Sequence, residues 1–149
     1  MNPPVTRQIR VRCSAAHAFK VFTSRMDQWW PPRHRPFAGQ GARVAVEPRV
    51  GGRFYATNAA GEVWEYGRVL RWEPPDCLSY AWFLGTSAEL PTEVTVTFSP
   101  QGDETLVEVV HRESQSLGGA WPEKAVIYRR SWQAVMDAFA AQIEAGDTP

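Results

Sequence analysis

The side chains able to do acid–base or metal chemistry in this chain are few and scattered. Its three histidines, His17, His34 and His111, stand far apart and form no HxH, HExxH or Cys/His spacing, so no metal site is expected. His111 follows Val107 and Val109 at strand spacing, which puts it on an apolar face. An imidazole there could exchange a proton with a carbonyl or phenol, or donate a hydrogen bond to it. The commoner state of such a histidine is structural, bonded to backbone or a neighbouring side chain. His17 falls on a short helix, where an exposed end is expected, and His34 falls in the basic segment "PRHRPF".

Carboxylates offer no ready pair. Glu62 and Glu65 flank Trp64, and three residues apart on a strand they point to opposite faces. Glu65 would share a face with Val63 and Val69; turned inward it would need a partner such as Arg53, and a solvated glutamate is the simpler expectation. "PRHRPF" could hold an anionic group, although a solvated loop explains it equally simply. No GxSxG occurs, and neither cysteine stands in a motif with histidine, so a nucleophilic triad is not expected. "RVGGRF" has too few glycines for a phosphate loop and lies between strands; its glycines are expected to bend a sheet.

The segment "DQWWPPRHRPF", 27–37, raises a different question. Adjacent residues on a helix point about 100° apart, so Trp29 and Trp30 are not expected to enter the same part of one core. Two prolines follow at once, and the residue before a proline avoids helix, so a short helical turn should end there.

These groups sit in a chain of 149 residues with 44% hydrophobic and 12% aromatic content, including seven tryptophans. That length suits a single domain able to bury most of its unfolded surface. Sixteen basic and sixteen acidic residues give zero formal charge, without the basic excess that neutralises phosphates, so no nucleic acid partner is expected. No apolar run approaches membrane-spanning length and "MNPPVTRQIR" lacks a signal-like stretch, so no membrane association and a cytoplasmic location are expected. Cys13 and Cys77 form no CxxC and are expected as free, buried thiols.

The elements that must position the site follow from periodicity. "TRQIRVRC" alternates, with Ile9, Val11 and Cys13 opposite Gln8, Arg10 and Arg12, as a half-buried strand does. Ser14 can cap a short helix, "AAHAFKVFTS", whose apolar side carries Ala15, Ala18, Phe19 and Phe22. From Ala42 to Glu113 six strand patterns alternate with turn signals such as "NAAGE", "EPPD" and "SPQGDE", which predicts one antiparallel meander. The last element is a long helix: Trp121, Ala125, Tyr128, Trp132, Val135, Phe139 and Ile143 form one apolar stripe, with Pro122 in the first turn and Gly146 at the end. A sheet with a single large helix must wrap around it to bury that stripe.

This order, with "WW" at 29–30, "RVGGRF" at 49–54, "GRVLRWEPPDCLSYAW" at 67–82, "VTVTF" at 94–98, "TLVEVVH" at 105–111 and the "W…W" terminal helix, resembles the START-like helix-grip superfamily. These are the SRPBCC proteins, which include the birch pollen allergen. More narrowly it resembles the branch of homologues of the activator of heat-shock-protein ATPase. The resemblance runs from about Ile9 to Ile143 and implies one helix-grip domain over 1–149. Its class is α+β: a curved antiparallel sheet of about six or seven strands around a long C-terminal helix, with two short helices after the first strand. It also implies an elongated cavity for a small hydrophobic or aromatic ligand. The concave face would carry Leu78, Tyr80, Trp82, Val94, Val96, Phe98, Val107, Val109 and His111, the helix would close it with Tyr128, Trp132, Val135 and Met136, and Phe54 would also contact the ligand. One of Trp29 and Trp30 would anchor the short helix. The other would stand at the cavity mouth, before a lid-like loop ending near Phe37.

Ligand binding without turnover is therefore the first expectation, with no cofactor and a monomeric or homodimeric state. A cyclase or aromatase using the same cavity, with His111 and Tyr80 or Tyr128 moving protons, is the alternative. A co-chaperone role follows the branch name, but the chain lacks the additional N-terminal domain of the eukaryotic activators, so ATPase activation is not expected.

Overall fold

A computed structural model describes residues 2–34, 42–87, 90–114 and 120–146 of the chain. Seven strands, β1 (Val5–Val11), β2 (Arg43–Val46), β3 (Arg53–Thr57), β4 (Val63–Glu73), β5 (Cys77–Ser87), β6 (Leu90–Gln101) and β7 (Glu104–Glu113), form one antiparallel sheet in the order β1-β7-β6-β5-β4-β3-β2. The strands from β2 to β7 run as consecutive hairpins, and β1 joins the far edge beside β7. Between β1 and β2 come helix α1 (Ala15–Phe22) and two 3-10 turns, Met26–Gln28 and Pro32–His34. Helix α2 (Trp121–Glu144) ends the fold. This is the α+β helix-grip arrangement, with the sheet curled around the terminal helix.

Alternation places the core. Val94, Val96 and Phe98 on β6 and Val107, Val109 and His111 on β7 are all buried, against Leu78, Tyr80 and Trp82 on β5. The register sets Val96 beside Leu78 and Val109, and Val94 beside Tyr80 and His111. On α2 the buried side is Trp121, Ala125, Tyr128, Trp132, Val135, Met136, Phe139 and Ile143, the expected stripe with Met136 added. Burying five such large side chains contributes roughly 7–15 kcal/mol gross.

Two irregularities bend the sheet. Phe54 pairs with Gly67 but Tyr55 pairs with Glu65, leaving Tyr66 as an extra residue, and Leu70 is extra between Val69 and Arg71. Such bulges kink a strand and raise its twist. They also reverse the parity of β4. Glu65 therefore shares no inner face with Val69; it faces out, half-exposed, with a carboxylate oxygen 2.8 Å from the Arg68 guanidinium, while Arg53 pairs with Glu47. Gly67 is needed where β4 meets β5, since a Cβ there would stand 2.1 Å from the Ala81 carbonyl oxygen.

Helix α1 begins as expected, with the Ser14 hydroxyl accepting from the His17 amide at 3.1 Å. His17 itself is buried, not exposed. The helix touches β6, β7 and α2, so more of its circumference is covered than one stripe. Neither Cys13 nor Cys77 forms a disulfide; Cys77 is buried as expected but Cys13 only half-buried, and burial raises both thiol pKa values.

Candidate functional site

The two adjacent tryptophans lie just past the first 3-10 turn, where helical spacing no longer governs their directions. Both are buried, and their rings are 5.5 Å apart, contrary to the expectation that helical divergence separates them. Their roles differ. Trp29 points into the core between Phe22 and Phe139, each 5.3 Å away, and its indole N–H donates to the Val21 carbonyl at 2.8 Å. Trp30 turns toward β3 and β5, with Phe54 at 5.5 Å and Trp82 at 6.4 Å, and donates to the His34 carbonyl at 3.3 Å. The same carbonyl accepts from the Tyr66 hydroxyl at 3.3 Å. Asp27 secures this segment from the other side, accepting from the Val44 amide of β2 at 2.9 Å.

Trp30 and His34 form one wall of a cavity completed by Trp82 of β5 and by Tyr128, Ser131, Trp132 and Val135 of α2. Its volume is about 60 Å³. A cavity of roughly 150 Å³ is what a benzene ring occupies, and a water needs roughly 10–15 Å³. The hollow as it stands therefore admits a few waters or a small group, not a ring. Two larger grooves, of about 380 and 420 Å³, lie outside α2 and are lined by charged side chains, among them Arg10, Arg12, Glu104 and Glu144 in one and Arg7, Arg129, Arg130 and Asp137 in the other. Their linings do not suit an apolar guest.

Of the residues expected around a ligand, Trp30, Trp82, Tyr128 and Trp132 meet at this cavity. Trp29, Phe54, Tyr80, Phe98, His111 and Met136 are buried behind it in the packed core. Phe37 lies outside the described residues. Ser131 belongs to the wall and was not anticipated; His34, expected only within a basic segment that could hold an anionic group, belongs to it too. Ser131 precedes Trp132 off the apolar stripe, and His34 reaches the wall only because the second 3-10 turn folds back over the sheet.

His111 forms the polar centre behind the wall. The Trp132 indole donates to its Nδ1 at 2.9 Å, so the ring proton sits on Nε2, which meets the Thr92 hydroxyl at 2.7 Å. Thr92 in turn donates to the Trp82 carbonyl at 3.2 Å. The Tyr128 ring lies 4.1 Å from the imidazole, and its hydroxyl is also hydrogen-bonded to Thr92. Burial pushes the His111 pKa down to about 3. The ring is therefore neutral near pH 7 with both nitrogens engaged, which is the structural role of such a residue. Burial also lowers the pKa of His34 and raises that of Tyr128. Among the described residues no three His, Cys, Asp or Glu side chains cluster as a metal site. Nor is any helix there long and apolar enough to cross a membrane.

The family model for "Activator of Hsp90 ATPase homolog 1-like protein" matches residues 12–144. No curated protein matches the sequence. Among solved structures, the chain is 34% identical to Txn09, an anthrahydroquino-γ-pyrone synthase, covering 85% of this chain and 87% of that one, with a TM-score of 0.54. CalU16 from Micromonospora echinospora is 20% identical with a TM-score of 0.66, over 97% of this chain and 76% of that one. MLL2253 from Mesorhizobium loti is 18% identical with a TM-score of 0.69, over 96% and 99%. The last two likenesses concern the fold alone.

Proposed function

Because the chain belongs to the activator of Hsp90 ATPase homolog 1-like family, within the helix-grip superfamily its sequence resembles, we propose that it binds a planar aromatic molecule between sheet and terminal helix. The observation that carries this reading is the wall itself. Three indoles and a phenol line one small, partly open cavity, with polar side-chain groups at Ser131 and His34. Aromatic faces stack on or edge against planar guests at 4.5–7 Å between ring centres. Space for a ring arises by turning an indole aside. Trp30 is placed for this, since it stands beside a three-residue 3-10 turn and lines the cavity wall.

Native mass spectrometry of the purified protein, followed by titration with naphthalene, tests the proposal. Indole N–H resonances should shift on titration, and Trp132→Ala should weaken binding at least tenfold. Unshifted resonances, or equal affinity in that variant, would remove the assignment. The likeness to a γ-pyrone synthase favours a second reading, in which a poly-carbonyl or phenolic chain closes a ring in the same cavity. Here the walls would fold the substrate and exclude water. Turnover of such a precursor, lost in Trp132→Ala but kept in a variant on the opposite face of α2, would support it.

A further inference from the structure

Tyr80 is completely buried, and its hydroxyl has no hydrogen-bond partner among the described residues. The other two buried tyrosines are satisfied, Tyr66 by the His34 carbonyl and Tyr128 by Thr92. A phenol enclosed without a partner is costly, and phenylalanine would fill the same space without that cost. Tyr80 stands one aromatic layer behind the cavity. Its ring is 5.6 Å from Trp82, which lines the wall, and 5.3 Å from Phe54, which also packs on Trp82 at 5.1 Å and on Trp30 at 5.5 Å. The cavity must enlarge to take a ring, and turning Trp30 aside would expose Phe54, the ring that stands between Trp30 and Tyr80.

We propose that Tyr80 is the deep polar anchor of the site, donating its hydroxyl proton in a hydrogen bond to a carbonyl or other acceptor oxygen on the aromatic ligand. The proposal rests on the aromatic-binding reading and narrows it to ring systems carrying an oxygen acceptor at the buried end. Nothing is transferred: the phenol keeps its proton, which burial holds on more tightly than usual.

Chromone and naphthalene test it, being fused bicycles of similar size of which only chromone carries a carbonyl. Wild-type protein should bind chromone about fivefold more tightly than naphthalene, the effect of one average hydrogen bond. Tyr80→Phe should abolish that preference, leave naphthalene affinity unchanged, and melt no lower than wild type. Equal loss of both probes, an undiminished chromone preference, or a lowered melting temperature in Tyr80→Phe would overturn the inference. An undiminished preference would leave the aromatic-binding reading standing. If neither probe binds wild-type protein, that reading falls and the inference falls with it.

Discussion

Acid should destabilise this protein through His111, and the size of the effect follows from its surroundings. The imidazole is fully enclosed, with the rings of Trp121, Tyr128 and Trp132 around it at 5.8, 4.1 and 6.1 Å. Its Nδ1 accepts from an indole N–H, so a proton added there would face another donor. The native pKa is pushed down to about 3, against about 6.5 in an unfolded chain. Between those values the unfolded state binds a proton that the native state refuses, so stability falls as pH falls. From pH 7 to pH 5 the loss from this one group is about 2 kcal/mol, at about 1.4 kcal/mol per unit over about 1.5 units below the unfolded value. The figure hardly changes wherever below about 4 the native value lies, because the unfolded state does the titrating in this window. His17 and His34 are also lowered and act in the same direction. Glu47 and Glu73 are lowered too, but their contributions fade at about pH 4.5 and below, outside the window. A difference measurement isolates His111. Urea unfolding followed by tryptophan fluorescence at both pH values should show His111→Gln losing about 2 kcal/mol less than wild type, roughly 1 M in midpoint. Equal losses in the two proteins would refute the assignment of a neutral, locked imidazole, whatever the variant's absolute stability.

Other substitutions probe separate links. Gly67→Ala drives a methyl against the Ala81 carbonyl oxygen and should cost about 2–3 kcal/mol in denaturant unfolding; an unchanged midpoint would mean that β4 and β5 do not approach so closely. Trp29→Phe removes the N–H bonded to Val21 and should cost about 1–2 kcal/mol while leaving naphthalene affinity intact, whereas Trp30→Phe should change that affinity. A loss of affinity in the Trp29 variant would put its indole on the cavity wall. Glu65→Gln breaks an ion pair half-open to solvent and should shift stability by no more than about 0.5 kcal/mol, which a thermal melt at two salt concentrations can check.

How much of this was legible from the chain depended on whether a residue's direction is set locally. Spacings of three and four from Trp121 to Ile143 fix one side of a helix whatever surrounds it, and α2 buries that side. Strict alternation in β6 and β7 fixes an inner face equally well. On β4 the same logic fails, because the bulges at Tyr66 and Leu70 exist only relative to β3 and β5, and no single-strand pattern encodes them. His17 is misjudged for a related reason: α1 is covered by both sheet and helix, and amphipathic reasoning assumes one covered side. The tryptophan pair shows the limit most clearly. Trp29 and Trp30 share one aromatic cluster because the 3-10 turn ends at Gln28, just before them, and only the surrounding rings decide which way each indole turns. Trp29 is enclosed on both sides by phenylalanines, while Trp30 borders a small hollow lined mainly by aromatic rings. The anchor holds the segment in register, and the neighbouring indole, carried on that anchor, lines the hollow between sheet and terminal helix.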